Sequence, residues 1–145
     1  MRLQALQALA RLRPPPAISA KLIARLEEHD DNRLRQAAFP ALVAIGDDVA
    51  IDYVLEKGLS GGRGYGDLDT SRSAAQSLVT LGARGHELLF EAVESGTYLA
   101  QRASLESLLA TGDPAVRERL EEIARTTRDR GLQLLIRGEM SAAPR

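Results

Sequence analysis

Apolar residues along this chain return in a helical rhythm that is anchored on three glycines, Gly46, Gly82 and Gly112. Four residues before each glycine stand Leu42, Leu78 and Leu108, and three before stand Val43, Val79 and Leu109. Seven before are Phe39, Ala75 and Leu105, and eight before are the small residues Ala38, Ala74 and Ser104. Such offsets put these side chains on one helical stripe. The pattern therefore predicts three helices buried along that stripe. Each should end at its glycine, whose missing Cβ permits the left-handed cap. An arginine opens each segment: Arg35, Arg72 and Arg102. A degenerate fourth copy lies at the N-terminus, with Leu6, Leu9 and Ala10 on the stripe and Arg13 in the glycine's place. There Pro14, Pro15 and Pro16 break the helix instead.

After each break a second apolar helix is expected, over residues 16–28, 48–57, 84–95 and 114–126. These carry Ile18/Leu22/Leu26, Ile51/Val54/Leu55, Leu88/Leu89/Ala92/Val93 and Leu120/Ile123/Ala124. Asp113-Pro114 reads as an N-cap followed by proline at the first helical position. A last helix over 128–138 brings Leu132, Leu135 and Ile136, and residues 141–145 read as a flexible tail behind one domain spanning 1–140. No period-two alternation predicts a strand. Helical pairs at intervals of 36 and 30 residues are each too thin to bury their apolar faces alone and must stack on neighbours. The expected fold is all-α: a short right-handed α-solenoid of about four helical pairs with a C-terminal helix.

The residues that carry the rhythm resemble bacterial HEAT repeats of the phycobilisome-lyase type. Asp31-Asn32-Arg33-Leu34-Arg35-Gln36-Ala37-Ala38, followed by Leu42, Ile45-Gly46-Asp47 and Ala50-Ile51, carries the likeness. So do Asp69-Thr70-Ser71-Arg72-Ser73-Ala74-Ala75 with Leu78 and Leu81-Gly82, and Arg102-Ala103-Ser104-Leu105 with Leu108 and Gly112-Asp113-Pro114-Ala115-Val116. The likeness covers roughly residues 1–126. It implies a ladder between repeats made by Asp31/Arg35 and Asp69/Arg72, a first helix kinked at Pro40, and second helices lining a concave face. The first repeat lacks the glycine, and the boundary Ser95-Gly96-Thr97 lacks the aspartate.

Composition narrows the chemistry. Among 145 residues there is no cysteine or tryptophan, and Phe and Tyr total five. Thiolate metal sites, disulfides and a cysteine nucleophile are excluded, and the core must be aliphatic. No apolar run approaches the ~20 residues of a membrane-spanning helix, and no signal-peptide run opens the chain, so a cytoplasmic protein is expected. Glu27-Glu28-His29-Asp30-Asp31 is consecutive and fans its side chains around a helix end instead of converging on a metal. His86-Glu87 opens like a zinc-protease motif, but position 90 is Phe. The stretch 58–69 has five glycines between 58 and 66. It lacks a preceding strand and a Gly-Lys-Ser/Thr, so nucleotide motifs fail. It reads as an insertion loop in which Arg63 and Tyr65 are candidate partner contacts. No nucleophile–base pair can be assembled, so no catalytic residue, metal or cofactor is assigned.

Charge then points to an interaction surface. Net charge is −1 over the chain, but residues 1–39 sum to +3, residues 40–126 to −6 and residues 127–145 to +2. Much of the acidic excess falls on the second helices: Asp52, Glu56, Glu87, Glu91, Glu94, Glu118, Glu121 and Glu122. The expected function is a non-catalytic protein–protein interaction or scaffold module presenting an acidic concave face to a basic or helical protein partner. The alternative implied by the resemblance is a bilin lyase-type or cofactor-handling accessory protein. A DNA-binding repair protein is more remote, because this face is acidic and lacks tryptophan. Neither nucleic acid nor membrane is an expected partner. Helix 3–12 carries Leu and Ala on more than one side, which predicts self-association, or excision from a longer solenoid, through that end.

Overall fold

A computed structural model describes residue 4, residues 18–60 and residues 67–143. Among them the secondary structure is helical throughout, without a strand. The helices are α1 (Ile18–Glu27), α2 (Asn32–Ile45), α3 (Asp48–Tyr53), α4 (Leu68–Val79), α5 (Ala83–Ser95), α6 (Tyr98–Ala110), α7 (Pro114–Thr126) and α8 (Arg130–Ala142). Directly after α3 the chain widens into a π-helical segment, Val54–Leu59. The N-terminal repeat copy, the helix expected over 3–12 and the loop residues Arg63 and Tyr65 lie outside the described residues, apart from the exposed Gln4.

Short polar side chains start most of these helices. Asp31, Asp47, Asp67, Thr97, Asp113 and Asp129 each accept backbone N–H groups in the first turn that follows. Each such cap satisfies a donor that the helix itself leaves orphaned, at roughly 1 kcal/mol apiece. Thr97 supplies the cap at the boundary that lacks aspartate. The cap of α4 is Asp67, two residues before Asp69, which sits in the first turn. Gly46, Gly82 and Gly112 all have positive φ (74°, 66° and 70°). Gly46 forms the expected left-handed cap. Gly82 instead has ψ −133° and begins α5, because α4 has already ended at Val79.

The predicted stripe is the core. Leu42, Leu78 and Leu108 are fully buried, as are Phe39, Ala75 and Leu105 and the small Ala38, Ala74 and Ser104. Val43 is buried, whereas Val79 and Leu109 are half-buried at the stripe's edge. Successive first helices pack directly on one another, α2 on α4, α4 on α6 and α6 on α8, with α4 and α6 most extensively joined. Small buried residues permit that approach: Ser71, Ala74 and Ser77 in α4, and Ala100, Ala103, Ser104 and Ser107 in α6. The π segment, α5 and α7 each pack more extensively on the first helix that follows than on the one before. Larger side chains fill those contacts, among them Ile51, Val54, Leu89, Phe90, Val93, Val116, Leu120 and Ile123.

Two irregularities are absorbed by neighbouring helices. Pro40 lies within α2 with its ring exposed. Its missing N–H deprives the Gln36 carbonyl of its helical partner, and the Ser73 hydroxyl of α4 donates to that carbonyl at 3.5 Å. The Gln36 side chain returns the link by donating to Thr70 Oγ1 at 3.0 Å. In the π segment the Ser60 N–H reaches the Leu55 carbonyl at 2.9 Å. Gly58 is buried there, and a Cβ on it would stand 2.7 Å from Ala74 Cβ and 2.8 Å from Phe39 Cζ. Only glycine lets this segment sit so close to α2 and α4.

Several expectations shift. The second helices match closely, at 18–27, 83–95 and 114–126, while the one expected over 48–57 is part α and part π and extends to Leu59. The last helix is longer than expected, so Ser141 and Ala142 belong to α8 and not to a tail. Asp31 and Arg35 do not form a ladder between repeats. Asp31 is occupied in capping α2, and Arg35 turns to its own helix start, donating to Asp30 at 3.3 Å and Asn32 at 3.0 Å.

Candidate partner-binding face

A ladder between successive helices does exist, and it includes the expected Asp69 and Arg72. Arg72 of α4 donates through Nε and Nη2 to both carboxylate oxygens of Glu106 on α6, at 2.7 and 3.0 Å. It also faces Asp69 at 3.6 Å. Glu106 in turn meets Arg102 at 3.6 Å, and Arg102 meets Glu139 of α8 at 3.7 Å. The result is a chain of alternating charge, Asp69–Arg72–Glu106–Arg102–Glu139, running across three first helices. The hydrogen bonds from Arg72 hold the Glu106 carboxyl below the usual carboxylate range, against the opposing effect of its partial burial. The first-helix layer is thus charge-compensated.

The second helices differ. Asp52, Glu56, Glu87, Glu91, Glu94, Glu118 and Glu122 are all exposed. Glu87, Glu91 and Glu94 follow one another at four- and three-residue steps on α5 and so line one face, away from the buried Leu89 and Val93. Two of the seven carboxylates are already engaged. Arg119 of α7 reaches back to grip both oxygens of Glu87, the longer contact being 3.1 Å, and its guanidinium stacks 4.1 Å over the Phe90 ring. This fork lowers the Glu87 pKa and raises that of Arg119. Glu122 pairs with Arg125 one turn later on its own helix. No salt bridge joins Asp52, Glu56, Glu91, Glu94 or Glu118 to a described residue. Glu87 and Glu122 thus already hold an ion-pair partner within the protein.

Arg84 links the same layer on the other side, donating to the Gly46 carbonyl at 3.0 Å and facing Asp48 at 3.6 Å. Like Arg119, it extends from one second helix back toward the one before. Sequence spacing alone gave no sign of these links, because they join residues 32 and 38 positions apart on helices whose relative rotation is set by packing. Among the described residues no group of three His, Asp or Glu side chains is arranged to hold a metal ion. No described helix is long and apolar enough to cross a membrane. No family model, curated protein or solved structure matches the chain.

Proposed function

We propose that the helices form a short right-handed α-solenoid of HEAT-like pairs, about four with the N-terminal copy counted, and that the protein is a non-catalytic interaction module whose second-helix face receives a basic protein partner. The observation that carries this reading is the contrast in charge pairing. Acidic groups on the first helices are neutralised by Arg72 and Arg102, whereas Asp52, Glu56, Glu91, Glu94 and Glu118 stand exposed on the second and form no salt bridge with a described residue. An uncompensated acidic field steers a basic partner and raises its association rate.

The packing favours a different curvature from the one the resemblance implies. Small residues between first helices bring them close, and bulky residues beside α3, α5 and α7 separate these second helices, while α1 and α3 pack on each other. That wedge favours first helices on the inside, so we read the acidic face as the broad outer side and not as a concave groove. The test is fluorescence anisotropy of a labelled lysine-rich peptide. Binding should weaken steeply with added salt, since exposed charges are screened within ~8 Å at physiological ionic strength. It should also fall in the E91K/E94K/E118K variant. Salt-independent binding, or binding indifferent to that variant, would remove the acidic face from consideration.

A further inference from the structure

Where the C-terminal ends of the α3 π segment and of α5 come together, the surface opens into a hollow of about 170 Å³ lined by Leu55, Leu59, Leu88, Ala92, Glu91 and Ser95, with Ser60, Gly96 and Ala100 closing it. Leu55, Leu88 and Ala92 are partly buried, resting against the core. The floor is thus aliphatic and fixed from below. Among the described residues Glu91 is the only ionisable group in the lining. It is exposed and has no salt-bridge partner among the described residues. Ser95 does not occupy it, since the Ser95 hydroxyl donates to the Glu91 backbone carbonyl at 2.9 Å.

Three features select the ligand chemistry. The hollow is far smaller than the ~300–1,000 Å³ of a pocket for a drug-sized molecule and matches a single long side chain. Its floor rewards methylene groups. Its electrostatics favour a cation, because the carboxylate of Glu91 adds to the negative ends of two helices, at Ser60 and Gly96. Long basic side chains have this character, with an aliphatic stem and a charged head that stays at the water boundary.

We propose that this hollow receives one lysine side chain of a basic protein partner, with its stem along Leu55, Leu88 and Ala92 and its ammonium at Glu91. The proposal rests on the acidic face being a protein-binding surface, and adds to it a fixed anchoring point with a preference for stem length. An apolar or acidic anchor is disfavoured by Glu91, and a short cation leaves the leucine floor uncovered.

The experiment compares two labelled peptides of equal length and charge near neutral pH, one built on lysine and one on diaminobutyrate, whose stem is two methylenes shorter. Each buried methylene is worth roughly a fourfold gain in binding, so with two more of them the lysine peptide should bind about fifteenfold more tightly. Ser95→Leu, at an exposed helix end, fills the hollow while keeping the surface charge and should bring the lysine peptide down to the level of the short-stem one. Glu91→Gln should weaken the lysine peptide about threefold. Thermal melts followed by circular dichroism check that both variants keep the fold. Equal, salt-sensitive binding of both peptides, unchanged by Ser95→Leu, would overturn the hollow and leave the acidic face standing. Failure of both peptides to bind at low salt would overturn both readings.

Discussion

The two layers of helices solve the same packing problem with different materials. In the first-helix layer, serine and alanine sit at the contacts and a continuous chain of alternating charge crosses from α4 to α8. In the second, leucine, valine, isoleucine and phenylalanine fill the contacts, and two arginine links, at Arg84 and Arg119, join neighbouring helices while several carboxylates form no salt bridge with a described residue. Close approach of the first helices brings Arg72, Glu106, Arg102 and Glu139 within reach of one another at partly exposed positions. Wider spacing leaves the other face free to carry a net field. One layer is built for cohesion, and the other keeps exposed carboxylates at its surface.

The sharpest way to break this contrast is to attack the shared core. Leu78→Ala, at a fully buried site, should cost about 2–5 kcal/mol through lost transfer energy and the cavity left behind, read as a lowered denaturation midpoint in urea. A loss under about 1 kcal/mol would show that the stripe does not hold the layers together. Overpacking sharpens the comparison next. Ser104→Leu inserts bulk where α6 is fully buried and should destabilise by about 1–3 kcal/mol, whereas Ser95→Leu on the second layer, already exposed, should stay within about 0.5 kcal/mol. Equal losses would deny that small residues set the spacing.

The charge chain gives a smaller effect with a pH signature. Glu106→Gln should cost on the order of 1–2 kcal/mol, since charge-assisted hydrogen bonds from Arg72 are lost at a partly exposed site. Because the folded-state pKa of Glu106 is lowered, its contribution is present above the ordinary carboxylate range and disappears as pH falls through the lowered value. Stability of the Gln variant should therefore decline less steeply on acidification than that of the parent, and parallel acid limbs would contradict this. Smallest of all, the E91K/E94K pair should alter stability by under about 0.5 kcal/mol. A large loss there would mean that the second-layer acids are structural after all.

Much of the helical plan was legible because it rests on local rules. The glycine-anchored stripe needs only a period of 3.6, and Asp113-Pro114 announces a helix start by its own chemistry. The π segment was not legible. Nothing in Val54–Leu59 violates helical periodicity, and its widening answers to Phe39 and Ala74 pressing on Gly58 from other helices. The cap of α4 was not legible either, because Asp67 and Asp69 are equally capable residues two positions apart. For the candidate face, exposure could be anticipated from Glu87, Glu91 and Glu94 lying off the apolar stripe. Which of them is free could not, since Arg119 selects Glu87 from a helix 32 residues away.

That short reach between partners also bears on how the chain folds. None of the side-chain hydrogen bonds among the described residues spans more than 38 positions, so assembly never waits on the closure of a long loop, and low contact order favours rapid folding. Opening should then be graded along the chain and not all-or-none. Amide protons in α4 and α6, at the most extensive contact, should exchange slowest, and those of α8, packed on fewer of the described helices, should exchange earlier. Uniform protection from α1 to α8 in native-state hydrogen exchange would instead mark a single cooperative unit.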